Sequence, residues 1–125
     1  MQPTDSPIRV WQEGEIRVIE LLDRAPGDEQ RIARIESEIL DNTGSIDTPR
    51  VVLSLAQVRV VSSPVLKALL HVRNRIKARG GEVRLADLDR NLERVFQATK
   101  LNQVFEICPT SRDAIRSWLD QKKRA

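Results

Sequence analysis

The sequence holds one cysteine, Cys108, and one histidine, His71, among 125 residues. A single cysteine excludes an internal disulfide and fits a reducing compartment, so a cytoplasmic protein is expected. A lone histidine leaves no obvious metal-binding set. Aromatic residues make up 3% of the chain, too few for a platform on which nucleic-acid bases could stack. No apolar run approaches the length needed to cross a bilayer, and Met1–Val10 does not resemble a signal peptide, so no membrane role is expected. Also missing are a Gly-rich phosphate loop, a cysteine–histidine pairing at a plausible spacing and paired carboxylates at a strand end. An enzyme therefore finds little support, and no cofactor is expected.

What is present is a mixed, mildly basic surface: 21 Lys and Arg against 18 Asp and Glu, for a formal charge of +3. That balance disfavours a basic partner only weakly. The length suits one domain with one modest core. A lead-in over residues 1–7, a domain over 8–120 and a basic tail over 121–125 are expected, the first and last loosely held.

The chain turns on the stretch Val51–Leu70, VVLSLAQVRVVSSPVLKALL. Val51, Val52, Leu53 and Leu55 read as a strand buried on both faces and ending at Gln57. Ser62-Ser63-Pro64 then reads as a helix entrance, with Ser63 as N-cap and Pro64 at the first helical position. The helix that follows is expected to bury Val65, Leu66, Leu69, Leu70, Val72 and Ile76, to expose Lys67, His71, Arg75 and Lys77, and to stop at Gly80-Gly81.

Upstream, Ile8–Val10 and Ile16–Leu22 read as a hairpin with Gly14 in its turn, and Trp11 is expected to cover one end of the core. Asp28 is placed to cap a helix carrying Ile32, Ile35, Ile39 and Leu40. Downstream, Glu82–Ala86 reads as a strand reached by a right-handed helical crossover. Asp89 can cap a helix with Leu92, Val95 and Phe96, and Val104–Ile107 reads as a short strand. Thr110 or Ser111 can cap a last helix with Ala114, Ile115, Trp118 and Leu119 on its apolar face. Alternation of this kind calls for an α/β domain, with a small mixed sheet of about 4–5 strands flanked by about 4 helices.

Several polar residues have plain structural readings. Ser62 is suited to bond its local backbone, and Thr99 to bond a helix carbonyl. Cys108, beside an apolar strand, is read as a small buried hydrophobe. Arg73, Arg75, Lys77, Arg79 and Arg84, with Lys122-Lys123-Arg124, spread around the molecule instead of lining one face, so nucleic acid is not the expected partner. Arg59, Lys67 and His71 surround the Ser62-Ser63-Pro64 turn or follow it, and form the candidate partner surface.

The order of these landmarks resembles the STAS family, which comprises anti-sigma factor antagonists and the cytoplasmic domains of sulphate transporters. The strand VVLSLAQV, the Ser62-Ser63 turn with Leu66, the Gly80-Gly81 pair, and Leu92-Glu-Arg-Val-Phe96 followed by Thr99-Lys-Leu101 carry the resemblance over roughly Val10–Leu119. It implies a non-enzymatic switch that binds a protein, usually a serine kinase of the ATPase-fold type that is also the anti-sigma factor. In the typical turn, Asp-Ser-Ser-Gly-Leu, the second serine is phosphorylated. Here Ser62 falls on the aspartate, Ser63 on the first serine, Pro64 on the phosphoacceptor and Val65 on the glycine. The acidic residue usual in the preceding strand falls on Ser54.

Proline has no hydroxyl and fixes φ, so the turn is expected to be stiff. Either the protein binds constitutively, or phosphorylation has moved back to Ser63, where it would compete with capping. The constitutive binder is the preferred reading. The alternative is a non-switching scaffold or self-associating domain in a larger signalling complex, with a homodimer left open.

Overall fold

The structure, a computed structural model, describes residues 6–124. Two strands open it, β1 (Ile8–Glu13) and β2 (Ile16–Leu21), followed by α1 (Glu29–Thr43), β3 (Arg50–Ser54) and α2 (Ser63–Ala78). Then come β4 (Glu82–Ala86), α3 (Arg90–Ala98), a 3-10 turn (Leu101–Gln103), β5 (Glu106–Cys108) and α4 (Ser111–Arg124). The five strands form one sheet in the order β1-β2-β3-β4-β5, antiparallel between β1 and β2 and parallel elsewhere. This is the mixed α/β sheet that the alternation of strand and helix patterns calls for.

Alternation along the strands divides the core. Ile19, Leu21, Val51, Leu53, Val83 and Leu85 meet Ile32, Ile35 and Ile39 of α1 and Val65, Leu66, Leu69, Val72 and Ile76 of α2 in the larger cluster. Phe96 and Phe105 belong to it too, their rings edge to face with centroids 6.0 Å apart. Ile16, Val18, Val52 and Ala86 point the other way, onto Ala114 and Trp118 of α4. Burying a Leu, Ile or Val side chain contributes about 1.5–3 kcal/mol each, so the α1–α2 face carries most of the apolar stabilisation.

On the α4 face, polar groups do more of the work. The buried Arg84 guanidinium lies 4.1 Å from the centre of the Trp118 ring and donates to Ser117 Oγ and the Ala114 carbonyl. The Trp118 indole N–H donates to Glu82 Oε2 at 2.6 Å.

Several elements begin or end where sequence chemistry puts them. Asp28 accepts from the Arg31 amide at 2.7 Å and Asp89 from the Leu92 amide at 2.8 Å, so both cap their helices. Of the two candidates at α4, Thr110 caps, accepting from the Asp113 amide. Gly14 turns the hairpin at φ 61°.

Other expectations need correcting. The β3 strand stops at Ser54 instead of Gln57, because Val58 donates back to the Leu55 carbonyl in a turn. The last strand starts at Glu106, with Phe105 tied back to the Leu101 carbonyl. Trp11 does not cover the core: it is 37% exposed, with the Arg9 guanidinium over its ring. Its parity on β1 is opposite to that of Ile8 and Val10, which face the larger cluster.

Of the expected lead-in, residues 1–5 lie outside the described residues, whereas Ser6 is buried and donates to Glu38 Oε1 at 2.8 Å. At the other end, the α4 backbone continues to Arg124.

Candidate functional site

The site begins where β3 leaves the sheet. Leu55 stays tied to β4 through the Ala86 carbonyl, and Val58 is fully buried. The Arg59 and Val60 amides then both donate to the Arg24 carbonyl, at 2.8 and 3.2 Å. The loop between β2 and α1 therefore splints the segment leading to the turn. Val61 packs partly on the core, Ser62 is extended (φ −101°, ψ 167°), and α2 starts at Ser63.

This corrects the expected cap. The residue before the helix is Ser62, whose carbonyl accepts from the Leu66 amide at 3.1 Å, and its side chain makes no capping bond. Ser63 is already helical. The helix can start one residue early because the first turn's amides have no intrahelical partner, so Pro64 is tolerated at its second position as well as its first. The Ser63 hydroxyl is consequently exposed and makes no hydrogen bond among the described residues.

Ser63, Pro64, Lys67 and His71 lie together along an open groove of about 840 Å³ between α1 and α2, across from Glu29 and Glu36. His71 is not a free contact: its Nδ1 lies 2.6 Å from Glu36 Oε1 on α1. Arg59 does not join the groove. Its guanidinium donates to the Ala56 carbonyl at 3.0 Å and reaches Asp89 at 3.9 Å, bracing the loop against the entrance of α3. Ser62 lies between these two groups, exposed on the turn.

The STAS domain family model matches residues 10–114. The chain belongs to the STAS domain family. Solved structures agree in fold. An anti-sigma-factor antagonist (STAS) domain protein from Planctomyces limnophilus superposes with a TM-score of 0.77 at 23% identity, over 88% of this chain and 96% of that one. An anti-sigma factor antagonist from Mycobacterium paratuberculosis gives 0.75 at 21%, over 94% and 97%. A serine-to-glutamate variant of Moorella thermoacetica RsbS gives 0.78 at 12%, over 94% and 99%. Among curated proteins none matches significantly.

Where β3 and β4 of this STAS domain end sits a polar node that sequence reasoning did not single out. Asp87 follows β4 at φ 65°. Its carboxylate accepts from Ser54 Oγ at 2.7 Å and from the Ser111 amide and hydroxyl. Ser54 thus ends β3 bonded to the carboxylate that directly follows the neighbouring strand β4. The one local signal was an aspartate directly after a buried strand, a residue type that tolerates positive φ.

The Asp23 carboxyl and the Cys108 thiol are shifted from their ordinary values. The Arg31 side chain, bonded to Asp23 at 2.6 and 2.7 Å, holds that carboxyl below its usual range. Burial pushes the Cys108 thiol up, against the nearby Arg84, but the residue is half-buried beside the smaller cluster and not the buried hydrophobe expected. Thr99 Oγ1 donates to the Val95 carbonyl at 2.8 Å, the backbone bond expected of it.

No helix among the described residues is long and apolar enough to cross a membrane.

Proposed function

We propose that this STAS domain is an anti-sigma factor antagonist-like regulatory protein that binds a serine-kinase anti-sigma factor through the Ser62-Ser63-Pro64 turn and α2. It acts as a non-enzymatic binding partner in the cytoplasm. The observation that carries this reading is the exposed turn itself, splinted by the Arg24 carbonyl and opening onto a groove that already holds Pro64, Lys67 and His71. Solved STAS proteins of the same fold that are named anti-sigma factor antagonists support it.

Pro64 has no hydroxyl to receive a phosphate at the position where the family's turn usually carries one, so the surface works without that switch. The uncapped state of Ser63 matters here. Its hydroxyl is not engaged at the helix start, so the constitutive reading rests on Pro64 alone and not on competition between capping and phosphorylation.

The test has two parts. Capture from the native lysate with the wild-type chain is expected to recover a kinase-like or sigma-regulatory protein, and Lys67→Glu is expected to recover less. Recovery of no such partner with either protein counts against the reading. Incubation of that partner and ATP with the chain, followed by intact-mass measurement, is expected to show no added phosphate. A single phosphate that maps to Ser63 and disappears in Ser63→Ala would replace the constitutive binder with a displaced switch.

A further inference from the structure

The two edges of the sheet differ. On one side β5 is three residues long, which leaves a neighbouring chain little backbone to pair with. On the other, β1 runs six residues in unbroken register with β2 and pairs with no other strand among the described residues. It carries no bulge and no proline, features that blunt such an edge, and its two charges, Arg9 and Glu13, are of opposite sign.

The hydrogen-bond phase of β1 is fixed. The Leu22 amide donates to the Pro7 carbonyl at 2.9 Å. In the antiparallel register this makes Arg9–Glu20, Trp11–Val18 and Glu13–Ile16 the hydrogen-bonded pairs, so the backbone groups of Ile8, Val10 and Gln12 point away from β2. Ser6 Oγ bonds both groups of Ile8. Those of Val10 and Gln12 have no partner among the described residues.

The side chains of Arg9, Trp11 and Glu13 share the face opposite Ile8 and Val10. On that face α4 packs on β3, β4 and β5, and all three side chains are exposed. Arg9 bonds Glu20 through Nη2 alone and is 61% exposed at the side chain, which leaves its other donors open to solvent. Glu13 has no side-chain partner among the described residues.

We infer that β1 pairs antiparallel with β1 of a second copy of this chain, about a two-fold axis at Trp11 that joins the two sheets into one. With Trp11 opposite the partner's Trp11, Arg9 falls opposite the partner's Glu13, and Glu13 opposite the partner's Arg9. These pairs are of the non-hydrogen-bonded kind, in which facing side chains come closest. Val10 falls opposite the partner's Gln12, so the outward amides and carbonyls of both residues are satisfied across the axis. A register shifted by one residue sets outward backbone groups against inward ones. A shift by two sets Arg9 or Glu13 against the partner's Trp11 and loses the ion pairs. A second copy fits better than an unrelated strand because the same six residues supply both halves of every pair. The Ser62–Pro64 turn follows β3, two strands in from this edge, so the pairing leaves it open.

Sedimentation velocity of the full chain reads the pairing directly. An interface of one strand edge is small, and a reversible dimer with a dissociation constant of about 10–100 µM is expected. Glu13→Arg sets like charges opposite each other, and Gln12→Pro removes an outward N–H at a position where an edge strand tolerates proline. Each should weaken the dimer about tenfold or more with an unchanged circular dichroism spectrum. Rising salt should weaken it too. In a Cys108→Ala background, oxidised Trp11→Cys should form a disulfide-linked dimer, because the facing Cα atoms come within about 4.5 Å. Glu13→Cys should not, since the two copies of that residue lie about 14 Å apart along the strands.

A strict monomer at millimolar concentration, a dimer that neither substitution weakens, or cross-linking of Glu13→Cys as fast as of Trp11→Cys overturns the inference. These outcomes are separate from the lysate capture, which reads the turn and not the β1 edge.

Discussion

The two ends of α2 are built on opposite plans. At the C-terminal end, Gly80 takes a left-handed φ of 81° and donates to the Lys77 carbonyl, while Gly81 donates to the Ile76 carbonyl. This paired closure satisfies the helix's last carbonyls. Arg79 extends the seal, donating to the carbonyls of Thr43, Gly44 and Ile46 at 2.9, 2.9 and 2.6 Å and so tying the end of α1 to the end of α2. At the N-terminal end Ser62 makes no cap bond, and Ser62, Ser63 and Pro64 are all exposed. One end is anchored and the other presented, so stability and function should separate along the length of a single helix.

The largest break in that contrast is expected at Gly81. A Cβ there would lie 2.4 Å from the Pro49 carbonyl oxygen, backbone that cannot swing away, and 2.8 Å from Cγ2 of the buried Ile76 side chain. Gly81→Ala is therefore expected to cost about 3 kcal/mol, the upper end of the overpacking range. Urea unfolding would show it as a lowered midpoint. Second is Arg79→Ala, which strips three carbonyls of a charged donor; because the site is solvent-exposed, water recovers part of the loss and about 1.5 kcal/mol is expected. If Arg79→Ala left the midpoint unchanged, the α1–α2 seal would contribute nothing and the anchored end would reduce to its glycines.

The difference between the ends also marks where the sequence could be read. Gly80-Gly81 and the aspartates Asp28 and Asp89 act on backbone within a few residues of themselves, so their positions alone foretold a stop and two starts. The strands followed from runs of Val, Leu and Ile. Pro64 was less informative, because two neighbouring helix starts accommodate it equally well. Val58, Val60 and Val61 are alike in side chain, and only splinting of the backbone by Arg24 leaves Val60 facing outward. The stack of Arg84 on Trp118 and the Asp87 node join residues about 25 to 35 positions apart, and no local pattern announces them.

Third in size is the cap of α3, a sealed entrance to set beside the open one. Asp89→Ala removes the acceptor for the Leu92 amide and is expected to cost about 1 kcal/mol. It should also free Arg59, whose guanidinium lies 3.9 Å from that carboxylate. If Arg59 contributes to the partner surface beside the turn, the same substitution should leave partner capture unchanged or stronger while stability falls. A parallel loss of both would mean that the entrance of α3 is part of the contact.

The smallest effect is expected where the sequence had placed a cap. Ser62→Ala and Ser63→Ala each remove a hydroxyl from the exposed entrance of α2, and neither removes a hydrogen bond among the described residues. Each should shift the unfolding free energy by less than about 0.5 kcal/mol, as surface substitutions do when no cap or buried group is touched. A true N-cap serine would instead cost about 1 kcal/mol, so chemical denaturation resolves the two cases when the alanine variants are measured beside Asp89→Ala. A loss near that of Asp89→Ala in Ser63→Ala would move the helix start back to Pro64. Ser63 would then be engaged at the entrance, and a phosphate there would have to displace a structural bond. If both alanine variants are as stable as the wild type, the turn is held by the Arg24 splint and by Pro64 alone, and its hydroxyls are free for whatever docks against it.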